Sequence, residues 1–459
     1  MLVGVPKEIK NHEYRVGLTP ESAREYIAAG HRVMMQSGAG TGISKTDDDY
    51  SAIGAEIVDS AEEVFASAEM IVKVKEPQPN EWVQLREGQI LFTYLHLAPD
   101  PEQAKGLMES GVSAVAYETV TDRDGGLPLL APMSEVAGRL SIEASAQASH
   151  KVNGGRGILM GGVPGVLPAK VVVIGGGVVG TQAARMAAGL GANVEILDRS
   201  LPRIRELDDM FQGRVTTRYS NAGTIENAIT DADVVVGAVL IPGASAPKLV
   251  TRDMLGLMQH SAVLVDVAID QGGCFETSKP TTHEDPTYLV DDIIHYCVAN
   301  MPGAVARTST IALGNATMPF LLALAAVIGH RVNLRRNNLI DTETGDMDAS
   351  PPDDFDITGW RTPDGRFNDL AEPRMGSAGA RFGRNVPISE TYPPNDHDLM
   401  DPSPRLVSER LLKRTEFAPV PHLNIHAAAW IQFMVHDWLS HGANNKEADP
   451  YEVPLPVGD

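Results

Sequence analysis

The stretch VVVIGGGVVGTQAARMAAGLGANVEILDRS, residues 171–200, decides the fold of this chain. A run of β-branched residues leads into Gly175, Gly177 and Gly180, an alanine-rich helical pattern follows, and a second apolar run ends at Asp198. This order of strand, turn, helix and strand, with an acid about 20 residues beyond the glycines, is typical of a dinucleotide-binding βαβ unit. The glycines permit a tight turn and a close approach of the backbone to a pyrophosphate at the helix N-terminus.

Asp198 determines which dinucleotide we expect. Its carboxylate would accept a hydrogen bond from a ribose 2′-hydroxyl and would repel a 2′-phosphate, so the sequence predicts NAD and not NADP. The alternative is a glycine-rich turn that serves only packing. Because both flanking strands and the acid are in register, dinucleotide binding is the favoured interpretation.

Composition limits the remaining possibilities. The 459 residues suffice for about three domains, and the net charge of −22 argues against a general binder of nucleic acid or anionic membranes. The most apolar long run, residues 319–329, is shorter than the ~20 residues of a membrane span. Cys274 and Cys297 are the two cysteines, and each is expected to be a buried small hydrophobe in a reducing, cytoplasmic compartment. The N-terminus has no signal-peptide pattern.

Short apolar strands alternate with helical patterns through the first two thirds of the chain. Predicted strands include LVGVP, MIVKVK and ILFTYL before residue 128, and AKVVVIG, ADVVVGAV, AVLVDVA and HYCVANM between residues 170 and 306. Helices are predicted over 133–152 and 308–326. This alternation indicates parallel α/β sheets, the second of them doubly wound.

Three ionisable residues follow consecutive predicted strands of the first region: Arg15, Lys75 and His96. Ligands of open α/β sheets gather at the carboxyl ends of strands. An arginine suits a carboxylate, a lysine polarises a carbonyl and a histidine moves a proton near neutral pH. Each could be a surface charge on its own, but together they predict a site for a small acidic substrate.

The second region offers a further set of residues at strand ends. Asp270 follows the buried strand within DVAIDQGG, and Asn300 and Met301 follow the strand within YCVANMPG, beside the expected nicotinamide position. The alternative for Asp270 is a simple turn aspartate. We favour function because glycines beside it permit close approach of a ligand.

Five segments resemble alanine dehydrogenase almost phrase for phrase. They are MLVGVPKEIKNHEYRVGLTP, VKVKEPQPNE, YLHLAP, DQGGCFETSKPTTHEDPTY and YCVANMPGAVARTSTIALGNATMPF, within residues 1–326. The resemblance implies a hexameric enzyme in which two Rossmann-like doubly wound domains surround a cleft. It also implies reversible oxidative deamination of L-alanine to pyruvate and ammonia with NAD.

By position, the resemblance assigns Arg15 and Lys75 to the substrate and His96 and Asp270 to proton transfer, with Lys75 also counted as catalytic. It assigns the NAD contacts to Ser134, Asp198, Arg203, Ser220, Asn300 and Met301, beside the three glycines. It also divides the chain. Residues 1–128 with 307–330 form the substrate domain, 129–306 the NAD-binding domain, and 331–459 an additional tail. No metal site is predicted.

The tail resembles a different family. After a loop-rich stretch, TGWRTPDGRFNDLAEPRMGSAGARFGRN, LMDPSPRLVSERLLKR and NIHAAAWIQFMVHDWLSHG are similar to the front part of an animal-type haem peroxidase, with fatty-acid α-dioxygenases nearest. Gln432 and His436 would be the distal residues above a haem, and Asp437 a calcium ligand. Haem iron needs a proximal ligand, and no segment here supplies one, so we expect an irregular, partly helical fragment that binds no haem.

Three hypotheses follow. The first is an NAD-dependent alanine dehydrogenase with an inert tail. The second is a haem oxidoreductase module with an accessory dehydrogenase part, and the third is an inactive fusion. Completeness favours the first. Every expected dehydrogenase ligand is present, although the helices that usually close its first domain are missing, while the peroxidase-like part lacks an axial ligand.

Overall fold

The computed structural model describes residues 1–97, 100–122, 125–239, 246–336, 373–376 and 379–382. Two parallel sheets with helices on their faces make up residues 1–336, which confirms the α/β fold class. Four strands at the centres of the sheets consist mainly of valine, isoleucine, leucine and methionine, as expected for strands that are buried on both faces.

The first sheet has six parallel strands in the order β3-β2-β1-β4-β5-β6. The chain winds outward on one side of β1 and then returns to build the other side from β4, which is the doubly wound pattern. The strands are β1 Leu2–Val5, β2 Arg32–Gln36, β3 Glu56–Val58, β4 Met70–Val72, β5 Ile90–Thr93 and β6 Ser113–Ala116.

The second sheet has seven strands in the order β12-β13-β11-β10-β7-β8-β9, parallel except for the antiparallel edge strand β12. Its winding reverses between β7 and β10. The strands are β7 Lys170–Ile174, β8 Asn193–Asp198, β9 Thr216–Tyr219, β10 Val234–Gly237, β11 Val263–Asp266, β12 Thr287–Val290 and β13 Ile293–Tyr296.

Eleven α-helices accompany the sheets in the described part of the chain. Several begin at a side-chain cap; Thr19, for example, accepts the backbone N–H of Ser22 at 3.1 Å. The helices are α1 Pro20–Ala28, α2 Asp47–Ser51, α3 Ala61–Ser67, α4 Pro79–Trp82, α5 Pro101–Ser110, α6 Ala131–Ala148, α7 Val178–Gly189, α8 Leu201–Phe211, α9 Ala222–Ile229, α10 Arg252–Leu255 and α11 Ala306–Arg336.

Helix α6 connects the two halves of the fold. Met133 and Val136 near its start are buried in the core of the first sheet, whereas Ile142 and Ala148 belong to the core of the second. Helix α11 returns the chain to the first core. The predicted division assigns the whole of α6 to residues 129–306, whereas the helix packs in both cores. That division stays a prediction.

The segment Met301–Ala325 is long and apolar enough to cross a membrane by length and composition alone, but half of it is buried inside the molecule. Leu313, Phe320 and Leu324 of this segment pack in the first core. We therefore interpret it as a core helix, as the short apolar run in the sequence predicts.

The structure corrects several predicted boundaries. Helix 133–152 is Ala131–Ala148, and helix 308–326 is Ala306–Arg336, which continues through Pro319. The strand within HYCVANM ends at Tyr296, because Val298 makes only an isolated bridge to Thr281 before the chain turns.

One element in the tail was not predicted. Strands β14 Pro373–Gly376 and β15 Gly379–Phe382 form an antiparallel pair in which Gly376 lies opposite Gly379. The helical part that is expected in the tail lies outside the described residues.

Candidate functional site

A cavity of about 380 Å³ lies where the carboxyl ends of the two sheets face each other. It brings together seven of the predicted site residues, drawn from both sheets and from α6: Arg15, Lys75, His96, Ser134, Asp270, Asn300 and Met301. The predicted cofactor residues outside its lining are the three glycines of the turn after β7 and three residues near that turn, Asp198, Arg203 and Ser220.

Arg15, in the connection after β1, is buried and held by a carboxylate. Its Nε and Nη2 donate to Glu13 at 2.7 and 2.5 Å, and Nη2 also donates to Asn300 Oδ1 at 2.7 Å. Asn300 in turn donates to Glu13 at 2.9 Å. Burial raises the pKa of Glu13, but the hydrogen bonds and charge of Arg15 outweigh it and lower that pKa to about 2. The network presents a fixed, charged guanidinium to the cavity.

Lys75 follows β4 at the point where the winding of the first sheet reverses. Its Nζ lies 3.3 Å from Glu76. Beneath it, Glu8 accepts the backbone N–H of Val74 at 2.6 Å and the ammonium of buried Lys73 at 3.0 Å. This ion pair fixes the backbone from which the Lys75 side chain reaches the cavity.

His96 follows β5 and has left-handed backbone geometry, with φ of +49°. Its ring stacks on Tyr94 with centroids 5.7 Å apart. Burial and the nearby charge of Lys75 lower the pKa of His96, while Glu118 and Asp270 oppose that change. The imidazole is therefore kept mainly neutral near pH 7, the form that accepts a proton.

Asp270 lies in a short turn after β11 and is exposed at the cavity. The loop that carries it is anchored by buried Asp266, which accepts the N–H of Ala268 at 3.1 Å, the N–H of Phe275 at 3.2 Å and the hydroxyl of Ser278 at 2.5 Å. Burial raises the pKa of Asp266. This anchor brings Asp270 to the face of the cavity opposite Lys75 and His96.

The glycine-rich turn has the geometry that the sequence predicts. Gly175 has φ of +107°, and a Cβ on Gly180 would lie 1.8 Å from the carbonyl oxygen of Gly175. A Cβ on Gly177, in contrast, would meet no atom within 4 Å. Gly175 and Gly180 thus serve the turn and the packing of α7 on β7, while Gly177 leaves open space at the helix N-terminus.

Asp198 ends β8 beside this turn. Its carboxylate accepts the N–H of Gly176 and the N–H of Ser200, both at 2.7 Å. Arg203 donates to the carbonyl of Gly176 at 2.7 Å, and buried Ser220 donates its N–H to the carbonyl of Asp198 at 2.8 Å. The predicted cofactor residues that lie outside the cavity therefore form one connected cluster around the turn.

Sequence reasoning missed Glu13, Glu118 and Asp266, which support Arg15, His96 and Asp270 respectively. Glu118 follows β6, and Asp266 is the last residue of β11. The rule that ligands gather at strand ends would have found both had it been applied to every strand. Glu13 carries only the weaker signal of an acid two residues before Arg15.

Three family models match the chain. "Alanine dehydrogenase/PNT, N-terminal domain" matches residues 4–137, and "Alanine dehydrogenase/PNT, C-terminal domain" matches residues 141–344. "Animal haem peroxidase" matches residues 360–454. Gln432, His436 and Asp437 fall within that last match and lie outside the described residues.

Individual relatives agree. Alanine dehydrogenase from Halomonas elongata is 60% identical over 71% of this chain and 88% of its own length. Alanine dehydrogenase from Mycolicibacterium smegmatis is 57% identical over the same shares. A solved L-alanine dehydrogenase superposes with a TM-score of 0.69 at 52% identity, covering 71% of this chain and 90% of that one. A transhydrogenase from Sinorhizobium meliloti, at 24% identity and a TM-score of 0.62, covers 71% of this chain and 94% of its own and shares the fold.

Proposed function

The chain belongs to the alanine dehydrogenase family, and on that premise we propose that it catalyses the reversible, NAD-dependent oxidative deamination of L-alanine to pyruvate and ammonia. The observation that carries this proposal is the joint lining of one cavity by Arg15, Lys75, His96 and Asp270. These side chains supply two cations, a proton acceptor and a carboxylate, which together suit a small amino acid or 2-oxo acid.

Arg15 binds the substrate carboxylate. Its Nε and Nη2 already face Glu13 and Asn300, so Nη1, whose described contact is Met133 Sδ at 3.0 Å, is directed at the cavity. Lys75 binds the same carboxylate and polarises the carbonyl oxygen of pyruvate in the reverse reaction. Both cations are buried, which strengthens their attraction for an anionic substrate.

His96 handles the protons of the reaction. Once the ammonium group of alanine has given one proton to solvent, NAD held at the glycine-rich turn would supply the acceptor for the hydride that leaves Cα. The remaining iminium carbon is then attacked by water, and the neutral imidazole of His96 takes the proton that this water loses. The imidazolium returns that proton to nitrogen, and the hydroxyl proton of the adduct passes back to His96 as ammonia leaves and the carbonyl of pyruvate forms. Asp270 faces the imidazolium and stabilises its charge.

The glycine-rich turn fits NAD. The open space beside Gly177 at the N-terminus of α7 suits a pyrophosphate, and Asp198 suits a ribose 2′-hydroxyl. Ser134, Asn300 and Met301 line the same cavity as the substrate residues and would hold the nicotinamide half. Arg203 and Ser220 support the adenosine half.

His96→Ala tests the proposal. NADH formation from L-alanine should fall by about 10²–10⁴-fold, because a general acid–base group contributes that much, while NADH binding measured by fluorescence stays unchanged. His260→Ala is the control, since His260 is exposed beside Asp292 and far from the lining of the cavity. Retention of more than about a tenth of kcat by His96→Ala would remove the assigned role.

We further propose a hexamer in a cytoplasmic, reducing compartment. Five large apolar side chains between residues 152 and 167 are exposed, with Val152 at 91% and Leu167 at 90%; the others are Leu159, Val163 and Val166. Such a patch suits a second copy of the chain. Cys274 and Cys297 are buried free thiols, which supports the compartment. Leu167→Asp should lower the mass measured by light scattering, whereas Val83→Asp, at an exposed position outside the patch, should not.

A further inference from the structure

Glu118 holds the backbone that carries His96. It lies in the short turn directly after β6, whose neighbour β5 ends just before His96. Its Oε1 accepts the N–H of His96 at 2.6 Å and the N–H of Leu95 at 3.1 Å, and its Oε2 lies 3.2 Å from the Leu95 nitrogen. One carboxylate thus fixes two consecutive peptide groups at the edge of the cavity.

The backbone of His96 needs such support. A φ of +49° is left-handed, a conformation that residues with a Cβ rarely adopt. Residues in sparsely populated conformations persist where their surroundings determine them, and they cluster at functional sites. Hydrogen bonds to an ionised acceptor are stronger than those to a neutral one, so the Glu118 carboxylate is well suited to hold this turn.

Glu118 also belongs to the charged groups that face the His96 ring. Lys75 disfavours the protonated imidazole, whereas Glu118, Asp270 and Glu76 favour it. Among the three carboxylates, Glu118 has the largest effect on the pKa of His96. Glu76 is partly neutralised by Lys10 and Lys75, and Glu118 itself lines the cavity.

We propose that Glu118 is a positioning residue for His96, which orients the imidazole through the backbone of residues 95–96 and favours the imidazolium that forms during proton transfer. This inference rests on the proposed function of His96 as the acid–base group. The proposal has two parts: the Glu118 carboxylate anchors the backbone of residues 95–96, and its charge stabilises the imidazolium. Different substitutions of Glu118 test the two parts.

Two variants separate the parts, and the readout is the pH profile of kcat/KM for L-alanine, whose acidic limb reports the base of the free enzyme. Glu118→Gln keeps an acceptor oxygen but loses the charge, so the pKa of His96 falls and the acidic limb should move to lower pH by about 0.5–1 unit. Glu118→Asp keeps the charge but shortens the reach, so kcat should fall about 10–100-fold with the limb in place. Glu69→Gln is the control, since exposed Glu69 accepts the N–H of Leu2 at 2.7 Å and does not line the cavity.

His96→Asn distinguishes the two levels of the argument. If the acidic limb persists in that variant, His96 is not the group that titrates and the proposed function of His96 fails. If the limb disappears with His96→Asn but stays at its wild-type pH in Glu118→Gln, the charge effect of Glu118 is overturned, and wild-type kcat in Glu118→Asp overturns its role as the backbone anchor. NADH binding confirms that each variant is folded. If Glu118→Gln does not fold, a Glu118→Asp variant with wild-type kcat overturns the proposal.

Discussion

At the scale of single residues, Glu13 shows how a buried charge can serve a binding site. Its side chain is fully buried, and Arg15 beside it is 2% exposed. Glu13→Ala should destabilise the protein by about 3–5 kcal/mol, because an unpaired buried guanidinium remains, and should raise KM for pyruvate more than it changes NADH binding. Chemical denaturation and steady-state kinetics measure the two effects. Removal of Glu56 from its exposed pair with Arg32 should cost less than about 1 kcal/mol.

The lowered pKa of Glu13 also predicts how the stability of the protein depends on pH. The pKa of Glu13 falls from 4.5 to about 2 on folding, so its ionised form stabilises the folded state fully above pH 4.5. That contribution is lost as the pH falls through about 2. The stability difference between wild type and Glu13→Gln should therefore be constant above pH 4.5 and shrink below it. A difference that grows on acidification contradicts the assigned pairing.

Asp198 gives a prediction about cofactor choice. Asp198→Ala should relax the preference for NAD over NADP, because the repulsion of a 2′-phosphate disappears. It should also raise KM for NAD, since the N–H groups of Gly176 and Ser200 lose their acceptor. The ratio of kcat/KM for the two cofactors measures the effect. Equal use of both cofactors by the unmodified protein contradicts the role of Asp198.

Sequence reasoning found the residues that touch ligands more readily than those that hold them. Arg15, Lys75 and His96 were identified because they follow strong apolar strands, and the cavity brings them together. Glu13 and Glu118 act on neighbours through hydrogen bonds that depend on the folded path of the chain. A carboxylate in a loop has the same sequence signal whether it supports a site or faces water.

At the scale of elements, the βα turn offers a matched pair of substitutions on one helix. Gly180→Ala places a methyl group 1.8 Å from the Gly175 carbonyl oxygen, whereas a Cβ on exposed Gly189 meets nothing within 4 Å. Gly180→Ala should therefore lower the thermal midpoint and abolish NADH binding. Gly189→Ala should stabilise the protein by about 0.5–1 kcal/mol through helix propensity. Equal behaviour of both variants in thermal denaturation contradicts the packing role of Gly180.

Central strands were predictable, whereas the edge strands β3 and β9 were not. Strands β7, β10 and β11 each contain an apolar run of at least three residues, which the sequence displays directly. Strands β3, with three residues, and β9, with the sequence TTRY, carry little apolar signal and depend on pairing with a neighbour for their structure. Such pairing joins residues far apart in the chain, and local periodicity does not contain it.

At the scale of the whole molecule, the cavity exists because the carboxyl ends of two separately wound sheets meet. Each sheet is predictable from its alternating elements, but their facing arrangement followed from the resemblance to alanine dehydrogenase alone. Helix α6 holds the two sheets in this arrangement, because it packs in the cores of both. The expectation that residues 331–459 bind no haem remains a prediction, which titration of the full-length protein with haemin tests by absorbance.

The tail leads to the last prediction. Every residue that lines the cavity lies between Arg15 and Pro302, and both dehydrogenase family models end by residue 344. Removal of residues 345–459 should therefore leave kcat, KM for L-alanine and NADH binding unchanged. Removal of everything after Met318 should instead unfold the first core. That form loses the buried side chains of Phe320, Leu321 and Leu324, each of which contributes about 1.5–3 kcal/mol. Steady-state kinetics and thermal denaturation of the two forms distinguish the outcomes. Loss of activity in the longer, folded form means that the tail completes the site.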